Sequence, residues 1–163
     1  MTSQQVKLIR ETFALVALKS RIAALAFYQH LFTLDASLRP MFQHDIEQQG
    51  DKLMQALRFA VDSLEQPREL QSVLQSLGRR HAHYGVQERH YDTVGLALMD
   101  TLGQLLGPVF TAEAREAWLA VYTHIADTMK QAAAEGQGTL RNVRHSGQPK
   151  SSDAATSRAP KAE

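Results

Sequence analysis

The sequence predicts an all-α protein whose helices have unequal lengths and cross around a pocket. Apolar residues recur at helical spacing, as Val6, Ile9, Phe13 and Val16 do near the N-terminus. Six or more such stretches precede residue 135, strand signals are weak, and no internal repeat relates the stretches. Unequal helix lengths argue against a simple four-helix bundle and favour crossed packing around a pocket.

Residues typical of helix ends bound the predicted helices. Thr2 or Ser3 can cap the first helix, and a second amphipathic stretch that includes Ile22 and Leu25 follows. An irregular link punctuated by Asp35, Pro40 and His44 leads to the third helix. The remaining signals place the second helix at about Ser20 to Leu34, the third from near Gln48, the fourth from Pro67 to before Gly85, and the last two at about Glu88 to Leu106 and Thr111 to Ala134.

The composition narrows the classes of function. The chain has 163 residues, 44% hydrophobic and 21% charged, with a net charge of +1. This balance gives no general reason to expect nucleic acid as a partner. There is no cysteine, which excludes disulfides and thiolate metal sites, whereas seven histidines leave an imidazole site open. Neither a signal peptide nor an apolar run of membrane-spanning length occurs, so we expect a cytoplasmic protein without membrane insertion.

The C-terminal part of the chain differs from the rest. From about Gly136 onward it is rich in Ser, Ala, Pro and Lys and holds few apolar residues large enough to pack. Such a segment cannot offset its ordering entropy. We therefore predict a folded domain over residues 1–135 and a flexible, mildly basic, disordered tail over residues 136–163. A nucleic-acid or membrane-binding arm is the alternative.

One histidine falls on the apolar stripe of the fourth predicted helix. Leu70, Leu74, Leu77 and His81 share this stripe, since eleven residues at 100° each return to within about 20°. His83 lies about 200° further round and should face solvent. A buried histidine is usually a hydrogen-bonded core residue, and a metal or haem ligand is the alternative.

The segment around His81 resembles the proximal segment of bacterial single-domain haemoglobins and of the globin half of flavohaemoglobins. Arg80 precedes the histidine, Val86 follows it closely, and a Tyr-x-x-Val-Gly motif occupies residues 91–95. The resemblance covers roughly residues 3–134. It implies a globin fold with one b-type haem (iron protoporphyrin IX), whose iron His81 binds as the proximal ligand.

The same resemblance implies a set of residues on the distal side. The distal tyrosine of the family corresponds to Tyr28 and the haem-stacking phenylalanine to Phe42. Gln48 and Gln49 compete for the distal glutamine. We prefer Gln49, because Leu53 lies four residues later on the same face and suits a position over the iron. A tyrosine hydroxyl and a glutamine amide can each donate a hydrogen bond to bound dioxygen.

The two haem propionates require cationic or hydrogen-bonding neighbours. Lys52, three residues after the preferred distal glutamine, and Arg80, next to the proximal histidine, are the candidates. His44 is a further one. Ordinary solvated charge is the alternative for each.

The chain departs from flavohaemoglobins behind the proximal histidine. Their proximal tyrosine corresponds to Tyr91, but their glutamate corresponds to Ala133, and Glu135 lies about 200° from that position. No glycine-rich dinucleotide fingerprint occurs in the sequence. Both departures favour ligand binding over self-sufficient redox turnover.

The function that these features predict is reversible binding of dioxygen, for storage or delivery, with nitric oxide or carbon monoxide as further ligands. The alternative is nitric oxide dioxygenation, which would require an external reductase. A gas sensor read by a separate protein and a haem-free helical protein are weaker alternatives.

Overall fold

The structure, a computed structural model, describes residues 1–145, with side chains as far as residue 138. All regular structure in this part of the chain is helical, which confirms the predicted all-α class. The six α-helices are α1 (Ser3–Ala17), α2 (Ser20–Leu34), α3 (Ile46–Asp62), α4 (Pro67–His83), α5 (Glu88–Leu106) and α6 (Ala112–His145), and two short 3-10 helices span Ala36–Met41 and Gly107–Val109.

Side-chain caps determine where two of the helices begin. The Thr2 hydroxyl accepts a hydrogen bond from the Gln5 amide at 3.2 Å, and the Gln5 side chain accepts one from the Thr2 amide at 3.0 Å. This reciprocal pair is the capping box that stabilises the start of α1. Helix α3 begins two residues before the predicted Gln48, because the Asp45 carboxylate accepts from the Glu47 amide at 3.4 Å.

The main hydrophobic core lies among α1, α2, α5 and α6. Its most deeply buried members include Ile9, Leu31 and Trp118. The indole N–H of Trp118 donates to the Thr12 hydroxyl at 2.9 Å, and this buried hydrogen bond joins α1 to α6. A second, smaller cluster is formed mainly by α4 and α6, with Ala60 of α3 and Tyr91 of α5.

Helix α4 is held almost entirely by α6. The two helices pack extensively, whereas α4 makes at most marginal contact with α3 and with α5. Only residues 63–66 connect α3 to α4. Because consecutive helices with so short a link usually pack together, the separation of α3 from α4 is the feature of the fold that positions the site.

The apolar residues of α2 do not all lie on the face of this helix that packs against the core. Ile22 and Leu25 are 57% and 46% exposed, because α2 buries the opposite face, which carries Phe27, Tyr28 and Leu31. Two apolar residues at helical spacing do not by themselves define the face that packs.

The predicted boundary of the tail also differs. Helix α6 continues through residues 136–145 instead of ending near Ala134. No proline interrupts this stretch, and extending a formed helix is far easier than nucleating one, so Gly136 and Gly138 do not end it. The rest of the predicted tail, residues 146–163, lies outside the described residues.

Within residues 1–145, no helix combines the length and the apolar content that crossing a membrane requires.

Candidate functional site

His81 lies half-buried on α4, while His83 is exposed, as the helical stripe predicted. Its Nδ1 is 2.8 Å from the carbonyl oxygen of Leu77, one helical turn earlier. A carbonyl only accepts, so this contact makes Nδ1 the protonated nitrogen. Among the residues with described side chains, Nε2 has no hydrogen-bond partner. The imidazole is therefore fixed at one nitrogen and available at the other.

The surroundings of His81 favour the neutral imidazole. Burial lowers its pKa, the charge of Arg80 lowers it further, and the hydrogen bond to Leu77 opposes both effects. A neutral imidazole keeps the lone pair that a metal requires. The hydrogen-bonded Nδ1 is the arrangement that orients histidine ligands in metal sites.

The chain stops α4 directly after this histidine. The Val86 amide donates to the His81 carbonyl at 3.0 Å, and the Gly85 amide donates to the Ala82 carbonyl at 3.1 Å. Gly85 has φ of +87°, in the left-handed region. This is the Schellman ending that glycine allows, and it turns the chain away within four residues of His81.

Tyr28 forms the centre of an aromatic group on the other side of the fold. Its ring stacks on Phe32 with centroids 5.9 Å apart and meets the edge of Phe42 at 5.3 Å. The buried hydroxyl donates to the main-chain carbonyl oxygen of Gln49 at 3.2 Å. Burial raises the pKa of Tyr28 to about 12, so the hydroxyl remains a hydrogen-bond donor at neutral pH.

The start of α3 lies close to Tyr28 because a glycine lets two helices approach. A Cβ added at Gly50 would lie 2.7 Å from the Cβ of Ala24 on α2. The preceding residue, Gln49, is half-buried, whereas Gln48 is exposed. Leu53, one turn further on, is half-buried against the main core. Of the two glutamines, Gln49 is thus the one beside the tyrosine, although the observed contact uses its main chain.

Tyr91 is buried with its hydroxyl unsatisfied. Among the described residues, that oxygen is the one buried side-chain polar atom without a hydrogen-bond partner. The Lys130 ammonium lies 5.8 Å from the ring centroid, and the Tyr122 hydroxyl donates to the Tyr91 carbonyl. Ala133, where the resemblance implies a glutamate, is half-buried. The structure shows no hydrogen bond between Tyr91 and His81 within the described part of the chain.

The predicted propionate partners are on the surface. Lys52, Arg80 and His44 are all exposed. None of them forms an ion pair with another described residue. Their side chains are available to an anion, and their role stays a prediction.

The predicted residues thus fall into two groups. Tyr28 of α2 contacts Phe42, which directly follows the first 3-10 helix, and Gln49 of α3. His81 and Tyr91 lie on α4 and α5. Tyr122 and Ile125 of α6 pack against both hydrophobic clusters and connect the groups.

The donor set and the apolar walls fit a haem. Nε2 of His81 has no hydrogen-bond partner among the described side chains, and α4, which carries it, makes at most marginal contact with α3, which carries Gln49. Large apolar side chains of these elements remain only partly buried, as expected of walls that contact a flat apolar group. They include Phe42, Leu53, Leu57, Leu77, Val86, Val94, Tyr122 and Ile125.

Two contributors to the site were not identified in the sequence. The Leu77 carbonyl orients His81, and helical geometry alone could have indicated it, since a carbonyl four residues earlier is within reach of a histidine ring. Gly78 lies between them, and a glycine inside a helical pattern is itself a signal of close approach.

Comparisons with known proteins agree with this geometry. A model of the globin family matches residues 25–129. The flavohemoprotein of Vibrio cholerae is 26% identical over 129 residues, covering 77% of this chain and 33% of the relative. A flavohemoprotein of Xylella fastidiosa is 29% identical over 128 residues, covering 77% of this chain and 32% of the relative. The chain spans about one third of the length of these relatives.

Solved structures show the same fold. An engineered carbene transferase, built on a Rhodothermus marinus protein provisionally described as a nitric oxide dioxygenase, superposes with a TM-score of 0.77 at 27% identity. A bacterial globin from Campylobacter jejuni superposes with a TM-score of 0.71 at 22% identity. Each match covers 86% of this chain and 99% of the other.

Proposed function

Because the chain belongs to the globin family, we propose that it binds one b-type haem through His81 and reversibly holds dioxygen beside Tyr28 and Gln49. Membership of the family implies haem binding. The observation that carries the assignment to His81 is its imidazole, which is anchored at Nδ1 by the Leu77 carbonyl and unpartnered at Nε2. When bound, haem iron supplies the position at which a diatomic gas attaches.

On the proximal side, this chain orients and tunes the imidazole. The Leu77 carbonyl fixes the tautomer and the rotation of the ring. A main-chain carbonyl is a weaker acceptor than a carboxylate, so it makes the imidazole less electron-rich than a histidine bonded to Asp or Glu would be. This favours retention of a ligand over reactions that require strong electron donation.

On the distal side, Tyr28 supplies a proton donor in an apolar setting. Its hydroxyl hydrogen can turn from the Gln49 carbonyl to another acceptor by rotation about one bond, while the ring stays packed. The Gln49 amide is the second proposed donor. Phe32 and Phe42 cover the tyrosine and limit access of water, which strengthens any hydrogen bond formed there.

Nitric oxide dioxygenation is the second candidate. The flavohemoprotein relatives and the Rhodothermus marinus neighbour favour it. The reaction combines nitric oxide and dioxygen to nitrate and consumes one electron per turnover, so an external reductase would have to supply the electrons. The proximal side favours reversible binding of dioxygen over this reaction, because the Tyr91 hydroxyl has no hydrogen-bond partner among the described residues and Ala133 provides no carboxylate.

The cytoplasmic location stays a prediction.

The test is a spectroscopic titration of the purified full chain with haem. We expect one haem per chain, a ferrous spectrum that changes on addition of dioxygen, and recovery of the starting spectrum when the gas is removed. Failure to bind haem, or irreversible oxidation without an oxygenated form, would contradict the proposal. Steady-state nitrate production from nitric oxide, with a reductase present, then distinguishes sustained turnover from carriage.

A further inference from the structure

Helix α4 touches α6 at a point where only glycine fits. A Cβ added at Gly78 would lie 2.3 Å from the carbonyl oxygen of Met129 and 2.7 Å from its Cα. The first distance is about 1 Å shorter than an ordinary van der Waals contact. The obstructing atoms belong to the main chain, so no side-chain rotation relieves the overlap.

So close a contact between a glycine and the main chain of another helix is unusual within the described part of the molecule. Of the glycines in residues 1–145, Gly78 is the one whose added Cβ would meet the backbone of another helix. At Gly50 and Gly95 the added atom would meet the side chains of Ala24 and Tyr122 instead. A glycine inside a helix weakens that helix relative to alanine, so its presence here needs a compensating role.

The position of Gly78 connects it to His81. The two residues are three apart on α4 and therefore lie on neighbouring faces of one turn. Because α4 packs extensively on α6 and only marginally on α3 and α5, its contact with α6 determines where it lies. The imidazole is bonded to the Leu77 carbonyl of the same helix. Any displacement of α4 at Gly78 is consequently passed on to Nε2 of His81.

We infer that Gly78 is a positioning residue for the proximal histidine: by letting α4 rest on the Met129 backbone, it sets the location of Nε2 relative to the haem iron. The inference rests on the proposed role of His81 as the iron ligand. It assigns the glycine a function in tuning the iron–histidine bond, beyond filling the space between two helices.

The test compares Gly78→Ala with Gly136→Ala in the full chain. Gly136 lies on α6, and its added Cβ would be 3.7 Å from the Arg79 side chain, an ordinary contact. We expect Gly78→Ala to shift and broaden the iron–histidine stretching band of the ferrous protein and to speed haem loss about tenfold or more. Gly136→Ala should leave both unchanged. An unaltered band in Gly78→Ala would overturn the inference.

A second pair of variants separates positioning from general packing. In His81→Gly, added imidazole can bind the iron without being tethered to α4. Adding Gly78→Ala to this variant should then leave the iron–imidazole band unaltered, while the same change shifts the band in the tethered protein. A shift in both backgrounds, or failure of Gly78→Ala to fold in both, would mean that the glycine acts on packing alone and would overturn the inference.

The design also distinguishes this inference from the proposed function. If His81→Gly keeps its haem with an unchanged iron–ligand band in the absence of imidazole, His81 is not the ligand and the proposed function fails at that residue. If His81→Gly loses the band and imidazole restores it, the proposed role of His81 stands whatever the result for Gly78.

Discussion

At the scale of single residues, burial sets the protonation state of the two side chains that we propose to act on the two sides of the haem. Tyr28 stays protonated because burial raises its pKa to about 12, and His81 stays neutral because burial lowers its pKa. Each holds one hydrogen bond to a main-chain carbonyl, of Gln49 and of Leu77 respectively. The main chain thus orients both groups, that of a neighbouring helix for Tyr28 and that of the same helix for His81.

Tyr28→Phe should release dioxygen faster. The change removes only the hydroxyl, so the ring contacts with Phe32 and Phe42 should remain. Loss of a hydrogen bond to a ligand with developing negative charge costs about 1.5–3 kcal/mol, which is roughly a ten- to hundredfold change in affinity. Stopped-flow measurement of oxygen dissociation checks this, with carbon monoxide, a poorer acceptor, as the less affected comparison.

Gln49→Leu is the companion variant for that measurement. Its main-chain carbonyl, which accepts from Tyr28, is retained, so any faster oxygen release reports the lost amide alone. If neither variant changes oxygen release, the distal assignment is wrong. Non-additive effects in the double variant would indicate one shared hydrogen-bond network.

The two histidines at the end of α4 should differ sharply. His81→Gly removes the half-buried imidazole with the unpartnered Nε2, and we expect normal haem retention to be lost. His83→Ala changes an exposed ring two residues away and should leave the haem spectrum intact. Haem stoichiometry by absorbance decides between them. Loss of haem from His83→Ala but not from His81→Gly would mean that the ligand is on the other face of α4.

At the scale of helices, the start of α5 contains a pH-sensitive cap. The Gln87 amide donates to Nδ1 of buried His90 at 2.9 Å, which requires a deprotonated Nδ1. Burial lowers the pKa of His90 below its ordinary value of 6.5, the charge of Arg89 lowers it further, and Asp35 opposes them. Protonation of this ring would therefore compete directly with the cap.

This cap should make stability depend on pH with a definite sign. The unfolded chain binds the His90 proton more readily than the folded chain does, so the stabilisation is complete above pH 6.5 and declines as pH falls to the lowered folded-state pKa. Below that pKa both states are protonated and the decline stops. His90→Gln keeps a capping side chain that does not titrate. Its free energy of unfolding should fall less than that of the unaltered protein between about pH 7.5 and about pH 5. Parallel curves in chemical denaturation would exclude the cap as a source of pH dependence.

At the scale of the whole molecule, α6 packs on three other helices, α1, α4 and α5. It joins α1 through the bond from Trp118 to Thr12, and it carries α4 at the Gly78 contact. Tyr122 and Ile125 contact both hydrophobic clusters. Helix α6 therefore connects the two hydrophobic clusters, while α2 and α5, which pack on each other, join the proposed distal and proximal sides directly.

Truncation should separate the two parts of the predicted tail. Apart from Pro149 and Pro160, residues 146–163 contain no apolar side chain larger than alanine, so removing them should leave haem content and thermal stability unchanged. Removing residues 136–145 as well shortens α6 and should lower the helical circular dichroism with only a small further loss of stability. A large fall in either haem content or melting temperature after the first truncation would show that the removed residues dock on the folded part.

The sequence by itself determined the helical class, most helix boundaries and the face of α4 that carries His81. These follow from local rules: apolar periodicity, caps and glycine stops act over three or four residues. The resemblance extended them to a globin fold, which the family match confirms. The bounds of α2 and α5 agree with prediction to the residue, because Asp35, Gln87 and Gly107 end or begin them locally.

Only the tertiary structure decided which partners meet across the chain. The donation of the Tyr28 hydroxyl to the main chain of Gln49, the unsatisfied hydroxyl of Tyr91 and the Gly78 contact with Met129 all depend on how far apart two helices settle. That distance results from the packing of whole helix faces and is not encoded in any short segment. For the same reason, the sequence of α2 does not show that Ile22 and Leu25 are exposed. Apolar periodicity identifies the apolar positions of a helix, but packing decides which of them are covered.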